Sequence, residues 1–177
     1  MNRRASALDA LSADEKAIVL DHLLATRPDL REPAETYAVS LMSDEDRSAV
    51  AGDVEDALLG RDIEELNGQA GYQSGRGYVH PAEAADEILD EALDPFLKDL
   101  DRRAKLGLRS AAVEVAAGIL VGLYQCRDGG AETLLEFSPD YPAERAADLV
   151  SECAKLGIEL PQAELRDLLP AWSTMLG

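Results

Sequence analysis

Residues 108–126 read LRSAAVEVAAGILVGLYQC, and between Ala111 and Tyr124 only Glu114 is charged. Such a run predicts a helix that is apolar on nearly every side, and a helix with no polar side has to be surrounded by others. It is the expected centre of an all-α fold. Glu114 is expected either near the first turn, where the helix dipole favours a carboxylate, or buried and paired with an arginine. Gly118 and Gly122 have the spacing that lets a second helix approach closely. The run falls short of the ~20 apolar residues that a bilayer core requires, so tight core packing is the expected use of both glycines.

Immediately upstream, Pro81 opens a helix in which Ala85, Ile88, Leu89, Ala92, Leu93, Phe96, Leu97 and Leu100 keep the i, i+3, i+4, i+7 spacing. Pro95 has no N–H for the Glu91 carbonyl and is expected to bend or interrupt it, and Gly107 is placed to end it. Downstream, Asp128, Gly129 and Gly130 end the central helix. A short helix is expected over 131–137, another over 142–156 closed by Gly157, and a last one over 161–175.

Toward the N-terminus, Ser12 and Glu15 match a capping box for a helix reaching Thr26, with Ala17, Leu20, Leu23 and Leu24 as its apolar stripe. A second helix fits 28–42 with Leu30, Ala34, Tyr37, Ala38 and Leu41 on one side, Pro33 being able to shift its start. Ser43 or Asp44 is expected to cap a third, which carries Val50, Val54, Ala57 and Leu58 and ends near Gly60. A short turn over 62–66 follows. Ala104-Lys105-Leu106-Gly107-Leu108 recurs fifty positions on as Ala154-Lys155-Leu156-Gly157-Ile158. This resembles the generic helical hairpin of α-solenoids, although the residue signatures of tetratricopeptide and ankyrin repeats are absent. The sequence therefore predicts a single all-α domain over 1–177 with about seven or eight helices, packed as antiparallel hairpins in an irregular bundle or short superhelix. A helical part over 1–67 and another over 81–177 flank a glycine-rich segment at 68–80.

That segment, GQAGYQSGRGYVH, shows no helical period and is expected to be one long loop, the least ordered internal stretch. It also concentrates stacking, cationic and hydrogen-bonding groups in Tyr72, Arg76, Tyr78 and His80, which form the candidate ligand-binding set. Its glycines do not match a phosphate loop, since neither Lys-Ser nor Lys-Thr follows them and no strand precedes them. Ser74 with His80 is the nearest approach to a nucleophile and base, without an elbow motif around the serine.

Thirty-five acidic residues stand against seventeen basic ones, a formal charge of −18. The excess repels nucleic acid and anionic membranes and attracts basic surfaces. Glu83, Glu87 and Glu91 run beside Asp86, Asp90 and Asp94, an acidic face along three turns of the helix from Pro81 that is either simply solvated or a docking strip for a basic partner. No metal and no cofactor are expected. His22, His80, Cys126 and Cys153 lack zinc-ligand spacing, neither histidine has Glu three residues before it, and no EF-hand loop is present. Two cysteines in a chain with this much apolar content read as reduced thiols, and no apolar segment follows Arg3 and Arg4, so a soluble cytoplasmic protein is expected. The leading functional expectation is a non-catalytic acidic scaffold or adaptor that binds another protein, with homo-oligomerisation open. A small-molecule binder or hydrolase using 68–80, and an acidic antagonist of a basic nucleic-acid-binding protein, are the alternatives.

Overall fold

The computed structural model describes residues 7–75, 77–129 and 132–176. Among them are eight α-helices and one two-stranded hairpin, an all-α fold, and the chain divides into two compact units, Met1–Leu41 and Met42–Gly177.

In the first unit, α1 (Ala13–Thr26) begins at the expected capping box: the Ser12 hydroxyl accepts the Glu15 N–H at 3.2 Å and the Glu15 carboxylate accepts the Ser12 N–H at 2.9 Å. The second helix starts later than expected. Pro28–Leu30 form a single 3-10 turn, and α2 (Arg31–Ser43) follows, which puts Pro33 in the first turn, where its missing N–H has no partner to lose. No residue of α1 or α2 is buried.

The second unit contains the core. Its first helix, α3 (Arg47–Leu59), is capped by Asp46, whose carboxylate accepts the Ser48 N–H at 2.9 Å, and not by Ser43 or Asp44, because α2 continues through Ser43. A second capping box, Asp62 with Glu65, starts α4, and this helix (Ile63–Gln69) carries on through Asn67 and Gly68, past the expected stop at 66. Residues 68–80 are consequently not one long loop. After α4, β1 (Gly71–Gln73) pairs antiparallel with β2 (Gly77–Val79), in the register Gly71↔Val79, Tyr72↔Tyr78 and Gln73↔Gly77. The glycines that erase the helical period also permit the hairpin, since Gly71, Gly75 and Gly77 all have φ between 84° and 91°.

The helix from Pro81, α5 (Pro81–Lys105), runs through Pro95 without interruption; Pro95 is exposed, so the Glu91 carbonyl can turn to water. Its centre-of-fold neighbour α6 (Arg109–Gln125) is as expected. Ile119, Leu120 and Leu123 are fully buried, and α3, α5 and α7 (Tyr141–Leu156) all pack on it. The two glycines of α6 set how near α3 comes: a Cβ on Gly118 would lie 2.6 Å from that of Val50, and one on Gly122 would lie 2.7 Å from the Ala51 carbonyl oxygen. Glu114 is half-buried and paired with Arg47, whose guanidinium donates to it at 3.0 and 3.1 Å and to Glu164 at 2.5 Å, joining α3, α6 and α8 (Gln162–Leu168).

The repeated Lys-Leu-Gly segments are two copies of one helix stop. Gly107 (φ 74°) and Gly157 (φ 68°) are left-handed, and the following N–H of Leu108 or Ile158 donates five residues back, to Arg103 or Cys153. Beyond the centre, the expected helix over 131–137 is a 3-10 turn at Leu134–Glu136, with Ala131 outside the described residues. The expected last helix stops at Leu168, because Pro170 cannot donate to the carbonyl four residues before it, and a 3-10 turn follows at Pro170–Trp172. No helix among the described residues is long and apolar enough to cross a membrane.

Candidate functional site

The hairpin brings two of the four expected ligand-binding residues together. Tyr72 and Tyr78 face each other across the strands with ring centroids 5.5 Å apart and planes at 71°. Alternation along β2 sends Val79 into the core, whereas Tyr72 is 90% and Tyr78 59% exposed. His80 is separated from them in role. Its Nδ1 accepts the Ala82 N–H at 3.2 Å, so the ring caps α5. Arg76 lies outside the described residues. Ser74 is in the turn between the strands, and the Gln73 amide donates to the Gly68 carbonyl at 3.0 Å, fastening the hairpin to the end of α4.

The acidic row on α5 does not present one uniform face. Asp86 accepts from the Ser138 hydroxyl, and Asp90 accepts from the buried Tyr141 hydroxyl at 2.9 Å and from Arg145 at 2.7 Å. Burial, then the charge of Asp90, pushes the Tyr141 phenol well above its ordinary pKa, so it remains a neutral donor to that carboxylate. Asp94 pairs with Lys98 at 2.6 Å, Glu83 and Glu87 are also engaged, and Glu91 is exposed. The row thus turns Asp86 and Asp90 toward the segment 138–145. Sequence reasoning missed that segment, although Tyr141 and Arg145 stand four apart on one helix face.

Between α5 and α7 lies a groove of about 670 Å³ with Ile119 and Leu123 of α6 in its floor. Its floor residues are almost wholly covered. Its rim is laced with ion pairs: Arg145 to Asp90 and Asp148, Lys98 to Asp94, and Lys155 to Glu152. A groove whose apolar floor is covered and whose rim charges are already matched offers little to a partner.

The first unit carries exposed apolar side chains of its own. The stripe expected on α1 forms, yet Leu20 and Leu23 on it are exposed, and on α2 Tyr37 and Leu41 are 66% and 61% exposed. Over residues 7–41, seven acidic side chains stand against three basic ones.

The thiols of Cys126 and Cys153 are free and buried, and burial pushes them up to about 12 and about 11, out of the reactive range at neutral pH. No known protein family, curated protein or solved structure matches the chain.

Proposed function

We propose that the protein is a non-catalytic binding module for another protein, and that its partner covers the apolar faces of α1 and α2. One observation carries this reading: of the side chains that the sequence marks for burial, Leu20 and Leu23 on α1 and Tyr37 and Leu41 on α2 are exposed, while Leu24 and Ala34 are half-buried. Isolated helices of this length are marginal in water, and helical stability in proteins comes mostly from packing an apolar face. The charge supports a basic partner. An acidic excess in the same segment, within a chain of formal charge −18, draws in a basic surface and opposes association of two copies. Buried free thiols fit a reducing compartment such as the cytoplasm.

Affinity capture from the source cell with the wild-type chain and with a Leu20→Gln/Tyr37→Gln variant tests the reading. A protein retained by the wild type, released by added salt and lost with the variant is the expected result. Identical capture by both chains would overturn it, and a dimer in light scattering that the variant abolishes would make a second copy the partner instead.

A further inference from the structure

We infer that the Tyr72–Tyr78 pair is a binding site for cationic side chains, arginine or lysine, on an extended basic segment of a partner protein. The site rests on the reading above that the partner is basic, but it lies in the second unit and uses different groups.

The geometry is that of an open two-walled corner. The rings meet edge to face, 5.5 Å apart, on the outer side of a hairpin whose other side carries Val79 into the core. Cross-strand aromatic pairs commonly steady a hairpin. A pair with that role alone gains from being covered, whereas the Tyr72 ring is nearly bare. Of the strand neighbours, Gly71 and Gly77 have no side chains and nothing lies within 4 Å of where a Cβ would stand on either, while Gln73 donates to the Gly68 carbonyl and Val79 enters the core.

The electrostatics select the ligand. An aromatic face attracts a cation placed over it, by about 0.5–1 kcal/mol at an exposed site. This chain uses the interaction internally: Arg127 lies 3.9 Å from the Tyr124 ring centroid and Arg145 lies 5.2 Å from that of Tyr141. Among the described residues no cation lies over Tyr72 or Tyr78. The flanking sequence is acidic, residues 61–87 containing Asp62, Glu64, Glu65, Glu83, Asp86 and Glu87 against Arg61, which pairs with Glu65, and Arg76. An anionic ligand is repelled there and a cationic one gathered in. An extended chain carries alternate side chains on one face, so successive basic residues on it can meet the two rings in turn.

The test titrates an arginine-glycine repeat peptide, and a glutamate-glycine repeat as control, into the full chain at low salt, while the ring proton signals of Tyr72 and Tyr78 are followed by NMR. The arginine peptide is expected to shift both sets of ring signals and the acidic peptide neither. Tyr72→Phe should bind within about twofold of the wild type, whereas Tyr72→Leu and Tyr78→Leu should each weaken binding by about two- to fivefold, since leucine keeps apolar bulk without the ring. Binding that leaves the ring signals unmoved, or leucine variants equal to the wild type, would overturn the site and reduce the attraction to overall charge. If a leucine variant disturbs the hairpin signals, the wild-type ring shifts and the phenylalanine variant decide the matter. Capture that needs Leu20 and Tyr37 but not the rings would sink this site and leave the proposed function standing; arginine binding at the rings alongside capture indifferent to Leu20 and Tyr37 would do the reverse.

Discussion

The two units of this chain obey the same helix rules and finish in opposite conditions. In α6, apolar residues on all sides find α3, α5 and α7 around them, and glycines take the backbones nearer than any side chain would permit. In α1 a complete capping box and a leucine stripe produce a helix, but Leu20 and Leu23 are exposed and no residue of it is buried. Local signals are thus sufficient to start and stop a helix, while burial depends on what the rest of the chain supplies. Exposed leucines on a helix are themselves information about binding.

The difference is sharpest in the response to losing a leucine. Leu120→Ala in α6 removes a fully buried side chain and should destabilise the second unit by about 2–5 kcal/mol, measured by denaturant unfolding. A loss below ~1 kcal/mol would mean that α6 is peripheral. Gly122→Ala tests the same centre from the other direction. The added carbon would stand 2.7 Å from the Ala51 carbonyl oxygen and from the Val54 Cβ, so α3 and α6 must part, at a cost of roughly 1–3 kcal/mol. An unchanged midpoint would show that the crossing is loose.

Charged pairs repeat the contrast on a smaller scale. Burial raises the pKa of Asp99, but hydrogen bonds from Arg103 and Arg102 outweigh it and hold the group below its ordinary 3.8. Arg103 is itself buried and also reaches Glu45 and the Met42 carbonyl, securing the start of the second unit to α5. A carboxyl with a depressed pKa in the folded state contributes stability that is present above its unfolded pKa and lost as pH falls through the folded one. Asp99→Asn should therefore lower the denaturant midpoint most at neutral pH, with the gap from the wild type narrowing below about pH 4. A gap that stays constant with pH would remove the charge from the explanation. In the first unit Arg27 pairs with Asp29 at 2.7 Å in full exposure, where screening leaves little to lose.

Much of this was legible beforehand wherever one residue type has one strong use. The Ser12–Glu15 box, the Pro81 start, the left-handed glycines 107 and 157, and the apolar run about Leu120 all appear where the sequence places them. The failures have a common cause, competition between adjacent signals. Asp46 outcompeted Ser43 and Asp44 as a cap because α2 ran on, Pro170 ended a helix whose apolar period continued, and the glycines at 71, 75 and 77 masked a hairpin with strands only three residues long. The site was legible in part. Tyr72 and Tyr78 attract notice in sequence, but their meeting depends on a register that the glycines obscure, and the involvement of Asp86 and Asp90 with Ser138, Tyr141 and Arg145 depends on tertiary structure alone.

The smallest expected effect separates the units most directly. Leu20 is half exposed on α1, and alanine is at least as good a helix former as leucine, so Leu20→Ala should change the stability of the free chain by no more than ~0.5 kcal/mol. Leu120→Ala deletes the same atoms at a cost several times larger, and only surroundings distinguish the two positions. Amide exchange supplies the local reading: α6 amides should open only with the whole second unit, whereas α1 amides, lacking a covered face, should exchange through local opening at far lower free energy. If the proposed partner covers α1, its addition should slow α1 exchange, and Leu20→Ala should then weaken binding while remaining nearly silent in the free chain. A loss of 2 kcal/mol or more on Leu20→Ala without any partner would place Leu20 in a core of its own and erase the distinction between the two units.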